Sequence, residues 1–165
     1  MSEMQAGSRG SRTWPVHRVM IMTARAFGLG MLDSVRQEAL VMGGALTITV
    51  RSERGVVIAA VTGEIDVSTV PRMRERLFEL ADSGRTLIVD LNRVTFIDSA
   101  GLGALVGTAR RAAAHGGSLH AVCARPQTRK LLWLTGVDRR IPLTATVDGA
   151  LMLMAASRGS SGSGT

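Results

Sequence analysis

Short apolar runs alternate with segments of helical period along most of this chain, and this order limits the possible folds more than any other feature. Strands are predicted at Leu46 to Arg51, Val56 to Val61, Thr86 to Leu91, Ser118 to Cys123 and Ile141 to Leu143. Helices are predicted from Thr69 to Ser83, Ser99 to Ala114, Gln127 to Leu134 and Val147 to Met154.

That order predicts an α/β fold. The later strands are joined by helices, and because helical crossovers join parallel strands in a right-handed sense, these strands are predicted to run parallel. The first two strands are separated by only four residues, so they are expected to pair antiparallel. We therefore predict a single domain with a mixed sheet of about five strands and four helices packed on it.

Three zones differ in composition. Residues 1–44 lack a clean period and begin with Gly, Ser and Arg clusters, so we predict a disordered N-terminal extension. Residues 45–156 hold the strands and helices of the domain. Residues 157–165 are predicted to be a flexible Gly/Ser tail.

The net charge taken alone suggests a nucleic-acid partner, but the distribution of arginines and the low aromatic content argue against one. The net charge is +7 and the isoelectric point about 11.4, yet the arginines are scattered and aromatic residues make up 3%. Arg25 interrupts the apolar segment at Val19 to Leu32, and no apolar run is long enough to span a membrane. These features predict a cytoplasmic protein with no nucleic-acid or membrane partner.

The stretch LIVDLNRVTFIDSAGLGAL, Leu87 to Leu105, holds the most informative residues. A buried strand is predicted to end at Leu91, a loop to follow through Asn92 to Asp98, and a helix to begin at Ser99. Free N–H groups at a helix start favour an anion, and the small residues after Ser99 leave the backbone open to a partner. A purely structural interpretation also remains, in which Ser99 is an N-cap, Asp98 favours the helix dipole and the glycines only permit close packing.

The motif D-S-A-G-L at Asp98 to Leu102, after T-F-I at Thr95 to Ile97, resembles the signature of bacterial anti-sigma factor antagonists of the STAS family. A second block, G-E-I-D at Gly63 to Asp66, is similar to the G-E-(L/I)-D turn of the same family. The resemblance covers about 45–155 and implies a STAS-like fold.

In that family the domain binds an anti-sigma factor that is also a serine kinase of the GHKL ATPase type, and a sigma factor is released. The kinase phosphorylates the serine, which ends the binding, and a PP2C-type phosphatase restores it. The resemblance implies that Ser99 is the phosphoacceptor. The partner-binding residues that it implies are Glu64, Asp66, Asp98, Ser99, Ala100, Gly101 and Leu102.

The first alternative to a binding protein is an enzyme. A nucleophile elbow needs G-x-S-x-G, but Ile97 stands two residues before Ser99. No residue pattern indicates a metal or cofactor site, and none of the histidines, His17, His115 and His120, is placed as a base for Ser99. We therefore predict a protein that is not an enzyme and carries no cofactor.

The second alternative function is that of a STAS module in another complex, such as a stress-signalling scaffold or the partner of a lipid-transport ATPase.

Overall fold

The computed structural model describes residues 38–42 and 46–159. Within these residues the strands are β1 Glu38–Met42, β2 Leu46–Glu53, β3 Val56–Ile65, β4 Thr86–Ile97, β5 Ser118–Val122 and β6 Leu143–Thr144. The α-helices are α1 Val70–Ala81, α2 Ser99–Ala114, α3 Pro126–Leu134 and α4 Val147–Gly159, and a 3₁₀ turn spans Val137–Arg139.

The strands form one mixed sheet in the order β1-β2-β3-β4-β5-β6. β2 pairs antiparallel with both β1 and β3, and the remaining neighbours, from β3 to β6, pair parallel. The predicted α/β fold with four helices and a mixed sheet is therefore confirmed. The sheet has one strand more than expected, because Glu38–Met42 pairs with β2.

Helices cover the two faces of the sheet unequally. The larger apolar cluster lies under α1 and α2 and includes Leu77, Leu91 and Leu105, all fully buried. A smaller cluster on the other face joins Ile58 and Ile88 to α4. Since α1 and α2 both follow strands that run in the same direction, both helices begin at the same edge of the sheet.

Two strands run further than the sequence predicted. β3 continues from Val61 to Ile65, and β4 continues from Leu91 to Ile97, so the predicted loop at Asn92 to Asp98 is wrong. The continuation is held by parallel pairing between the two strands, with register shifts after Ala60 and after Gly63. Such bulges break the regular alternation of polar and apolar residues, so the sequence pattern did not predict these ends of β3 and β4.

The domain boundaries also differ from the predicted ones at both ends. Residues Glu38–Met42 form a strand within the predicted extension, because β2 offers a free edge to pair with. Helix α4 runs to Gly159, three residues into the predicted tail. Residues 1–37 and 160–165 lie outside the described residues, so the predictions for those segments stay predictions. Among the described residues, no helix has the length and apolarity needed to cross a membrane.

Candidate functional site

β3 and β4 extend together past the rest of the sheet and carry both sequence motifs at their ends. The pairing of β4 with β5 stops at Asp90, whereas its pairing with β3 continues until Ile65 lies opposite Ile97. The backbone N–H of Asp98 then donates to the carbonyl of Ile65, at 3.0 Å. Residues 64–69 and 95–102 thus meet at one edge, which we call the Ser99 end.

Gly63 explains why the second motif begins with glycine. It has a φ of 109°, a conformation that favours glycine, and it stands where the register between β3 and β4 shifts. The four residues G-E-I-D are therefore not the turn that the sequence predicted. The first three form the bulged end of β3, and the turn begins at Asp66. The bulge sets where Glu64 and Asp66 lie relative to the start of α2.

Asp98, not Ser99, is the N-cap of α2. Its carboxylate accepts a hydrogen bond from the N–H of Gly101 at 2.9 Å, and its carbonyl accepts one from Leu102 at 3.1 Å. Ser99 is the first helical residue, and it is exposed. Within the described residues its hydroxyl makes no hydrogen bond. The alternative in which Ser99 serves only as a cap is wrong, because Asp98 already has that role.

The small residues after Ser99 have different environments. Ala100 is half-buried, whereas Gly101 and Leu102 are buried against the sheet. A Cβ built on Gly101 would overlap Ile65 Cγ2 and lie 2.9 Å from Ile97 Cγ1. Gly101 and Leu102 therefore support the position of the helix start, and the side chain of Leu102 is buried away from a partner.

Asp66 organises the turn that leads from β3 into α1. Its Oδ1 accepts hydrogen bonds from the hydroxyl of Ser68 at 2.6 Å and from the backbone N–H of Thr69 at 3.0 Å. The same oxygen also accepts from the backbone N–H of Ser68 at 2.9 Å. These bonds, the one from the Ser68 hydroxyl foremost, lower the pKa of Asp66. Asp66 is thus a turn-forming residue, half-buried beside the exposed Glu64.

The Asp66→Asn substitution is expected to lower the free energy of unfolding, and the decrease should be larger at neutral pH than at low pH. Because the folded state lowers the pKa of Asp66, the contribution is present above the unfolded value of about 3.9 and is lost as the pH falls through the lowered value. Urea unfolding of both proteins between about pH 7 and pH 3 measures this, and the two curves should converge toward low pH. A constant difference across that range would contradict the ionised turn.

Two exposed apolar side chains lie at the Ser99 end, and neither is among the predicted partner-binding residues. Val67 is 75% exposed in the turn before α1, and Phe96 is 52% exposed near the end of β4. Phe96 is paired with Glu64 across the bulged strands. The sequence signal that could have identified Phe96 is its position, three residues before Ser99. Its exposure depends on the bulge, which no alternation rule anticipates.

The histidines of the described residues lie away from the hydroxyl of Ser99. His115 is at the opposite end of α2, about 24 Å along a 16-residue helix. His120 is in β5, and burial lowers its pKa. His17 lies outside the described residues. No group of three or more His, Cys, Asp or Glu side chains in the described residues is arranged to hold a metal ion. The Ser99 end thus offers an exposed hydroxyl, three carboxylates and an apolar pair.

Comparisons with known proteins agree with this geometry. The model of the STAS domain family matches residues 47–150. The anti-sigma-B factor antagonist of Bacillus subtilis is 32% identical over 106 residues, covering 64% of this chain and 97% of the relative. The anti-sigma-F factor antagonist RsfB of Mycobacterium tuberculosis is 34% identical over 110 residues, covering 65% and 88%. A crystal structure of an anti-sigma factor antagonist from Mycobacterium paratuberculosis has a TM-score of 0.61 at 32% identity, covering 69% and 97%.

Proposed function

Since the chain belongs to the STAS-domain family of anti-sigma factor antagonists, we propose that it binds an anti-sigma factor at the Ser99 end and thereby releases a sigma factor. The anti-sigma factor is a serine kinase of the GHKL type. It transfers the γ-phosphoryl group of ATP to Ser99, which ends the binding, and a PP2C-type phosphatase removes the phosphate.

One observation carries the proposal: the Ser99 hydroxyl is exposed at the first position of α2 and is not needed to hold the helix. Asp98 supplies the cap, so Ser99 can enter a kinase active site without disturbing the fold. The N-terminus of a helix also tolerates an added negative charge. The domain is therefore expected to stay folded in both states.

The switch follows from the charge of the surrounding surface. A phosphate adds about −1.5 to −2 charge at pH 7. Asp98 is its direct neighbour, and Glu64 and Asp66 lie on the adjoining strand end and turn. When a partner covers this end, it excludes the water that screens the phosphate from these carboxylates, so the repulsion among them grows on binding and the phosphate loses its hydration. Weakening the complex by about 100- to 1000-fold requires roughly 2.7–4.1 kcal/mol, which repulsion and desolvation supply at a close contact.

The exposed apolar pair supports a protein partner at this same end. Phe96 and Val67 leave apolar surface in water beside the proposed phosphoacceptor. Large apolar side chains of this kind often anchor protein interfaces, while charged residues surround them. The partner contacts that we propose are therefore the exposed or half-buried Glu64, Asp66, Asp98, Ser99 and Ala100, extended by Phe96 and Val67.

Incubation with a purified GHKL-type anti-sigma kinase and ATP tests the proposal. We expect intact mass to show a single added phosphate and peptide mapping to place it on Ser99. The Ser99→Ala variant should bind the kinase and stay unmodified. Treatment with a PP2C-type phosphatase should return the original mass. Phosphate on another residue, or no complex with any such kinase encoded in the same genome, would contradict the assignment.

A further inference from the structure

The net positive charge of the described residues is confined to one segment. Between Arg125 and Arg140 there are five basic residues, Arg125, Arg129, Lys130, Arg139 and Arg140, against the single acidic residue Asp138. The rest of the described residues contain ten basic and ten acidic side chains. The segment comprises α3 and the 3₁₀ turn that follows it, so the excess charge lies on one part of the surface.

These five cations are not neutralised by neighbouring carboxylates. All five side chains are exposed, and none of them forms a salt bridge with another described residue. Arg125 and Arg129 donate instead to the backbone carbonyls of Val94 and Cys123, which anchors the side chains without cancelling their charge. By contrast, Arg111 elsewhere in the domain is paired with Asp82.

The same segment exposes two large apolar side chains. Trp133 is 64% exposed and Leu134 is 63% exposed in the last turn of α3. Arg129 and Lys130 precede them by four residues, so each cation lies one turn away from an apolar side chain on the same outward face. We call the five cations with Trp133 and Leu134 the α3 surface.

We propose that the α3 surface binds anionic lipid headgroups at a membrane surface. Clusters of four to eight cations next to apolar anchors are typical of peripheral contact with anionic bilayers. Tryptophan favours the boundary between headgroups and acyl chains, where its ring is buried and its N–H stays hydrated. A bilayer also supplies diffuse negative charge, which suits cations spread over a helix and a turn.

Other partners explain the α3 surface less well. A single exposed aromatic gives no stacking platform for nucleic acid. A second copy of this chain would bring five cations against five cations. The expectation of no membrane partner rested on the lack of a spanning segment, and a surface contact does not need one. The proposed contact uses none of the residues of the Ser99 end and does not depend on the function assigned there.

Co-sedimentation of the full chain with vesicles tests the proposal. We expect binding to vesicles of equal parts phosphatidylglycerol and phosphatidylcholine, and little binding to phosphatidylcholine alone. Raising the salt from about 0.1 M to 1 M shortens the Debye length from about 10 to 3 Å and should release the protein. Equal binding to both kinds of vesicle, or no binding at low salt, would overturn the proposal. Displacement of the protein from anionic vesicles by duplex DNA would also overturn it, because the α3 surface would then prefer nucleic acid.

Charge variants show whether the α3 surface makes the contact. Arg129→Gln with Lys130→Gln should weaken vesicle binding about fivefold per cation, which equals about 1 kcal/mol each. Arg72→Gln with Arg74→Gln removes the same charge from an exposed part of α1 and is the matched control. If the control loses as much affinity as the α3 variant, net charge alone causes the binding and the proposed surface is wrong.

The two tryptophans allow a direct readout of position. In the Trp14→Phe variant, emission comes from Trp133 alone and should shift to shorter wavelength when anionic vesicles are added. In the Trp133→Phe variant, the remaining tryptophan should report no comparable shift. A shift that is kept in Trp133→Phe and absent in Trp14→Phe would place the contact in the N-terminal segment and overturn the proposal.

Discussion

Ser99→Asp is expected to weaken binding to the proposed anti-sigma factor kinase by about 10- to 30-fold, or roughly 1.4–2 kcal/mol, whereas Ser99→Ala should bind nearly as the unmodified protein does. Aspartate adds one negative charge at the position where a phosphate would add nearly two. It is therefore expected to reproduce about half of the free-energy change of phosphorylation. Calorimetric titration of the two variants and of the phosphorylated protein with the same kinase measures the series.

Stability measurements separate this electrostatic effect from damage to the fold. A carboxylate at the first position of α2 faces the positive end of the helix, so Ser99→Asp should keep the free energy of unfolding within about 1 kcal/mol. Ser83→Asp provides the control for added charge in the binding measurement, because Ser83 is exposed after the end of α1; its hydroxyl donates to the carbonyl of Leu80, so this variant is not compared for stability. It should leave kinase binding unchanged. If Ser99→Asp bound as tightly as Ser99→Ala, the proposed switch would lose its physical basis.

Gly101→Ala is expected to destabilise the domain by about 1–3 kcal/mol, because the new methyl group must enter a packed site. It would overlap Ile65 Cγ2 at the point where the start of α2 rests on β3. Relief of that overlap requires α2 to move away from the strand, which also displaces Asp98 and Ser99. We therefore expect weaker kinase binding and slower phosphorylation of Ser99 together with a lower midpoint of urea unfolding.

Gly103→Ala is the matched control for this prediction. Gly103 is exposed, and a Cβ built there would have no neighbouring atom within 4 Å. Alanine favours a helix over glycine by about 1 kcal/mol, so this variant should be as stable as the original protein or more stable. Kinase binding should also persist. Equal losses of stability in the two variants would contradict the difference in packing that distinguishes the two glycines.

Much of the architecture was predictable because it depends on local patterns. The continuous apolar run at Val56 to Val61 indicated a central strand, and the structure buries it. Pro71 at the start of α1 and the glycines after α2 marked helix ends through backbone conformation. Periodicity then predicted which helix faces pack on the sheet. These signals lie within a few residues of the structure that they specify.

The extent of the strands was not predictable in the same way. Residues 92–97 are polar and apolar in irregular order, and they form a strand because β3 lies alongside them. Glu38–Met42 likewise forms a strand through its pairing with β2. Strand formation here depends on hydrogen bonds to a partner strand, so short apolar or mixed segments are ambiguous until the partner is placed.

The sequence by itself determined the alternation of strands and helices, and its motifs indicated the family and the serine. Only the tertiary structure decided that Asp98 caps α2 while Ser99 stays exposed, and that Gly101, but not Gly103, must lack a side chain. The physical reason is that Ile65 holds the start of α2, since its carbonyl accepts from the N–H of Asp98 and its side chain packs on Gly101, and Ile65 lies more than thirty positions away in the chain. Periodicity and capping preferences act over a few residues, whereas packing and exposure depend on neighbours that only the folded chain brings together.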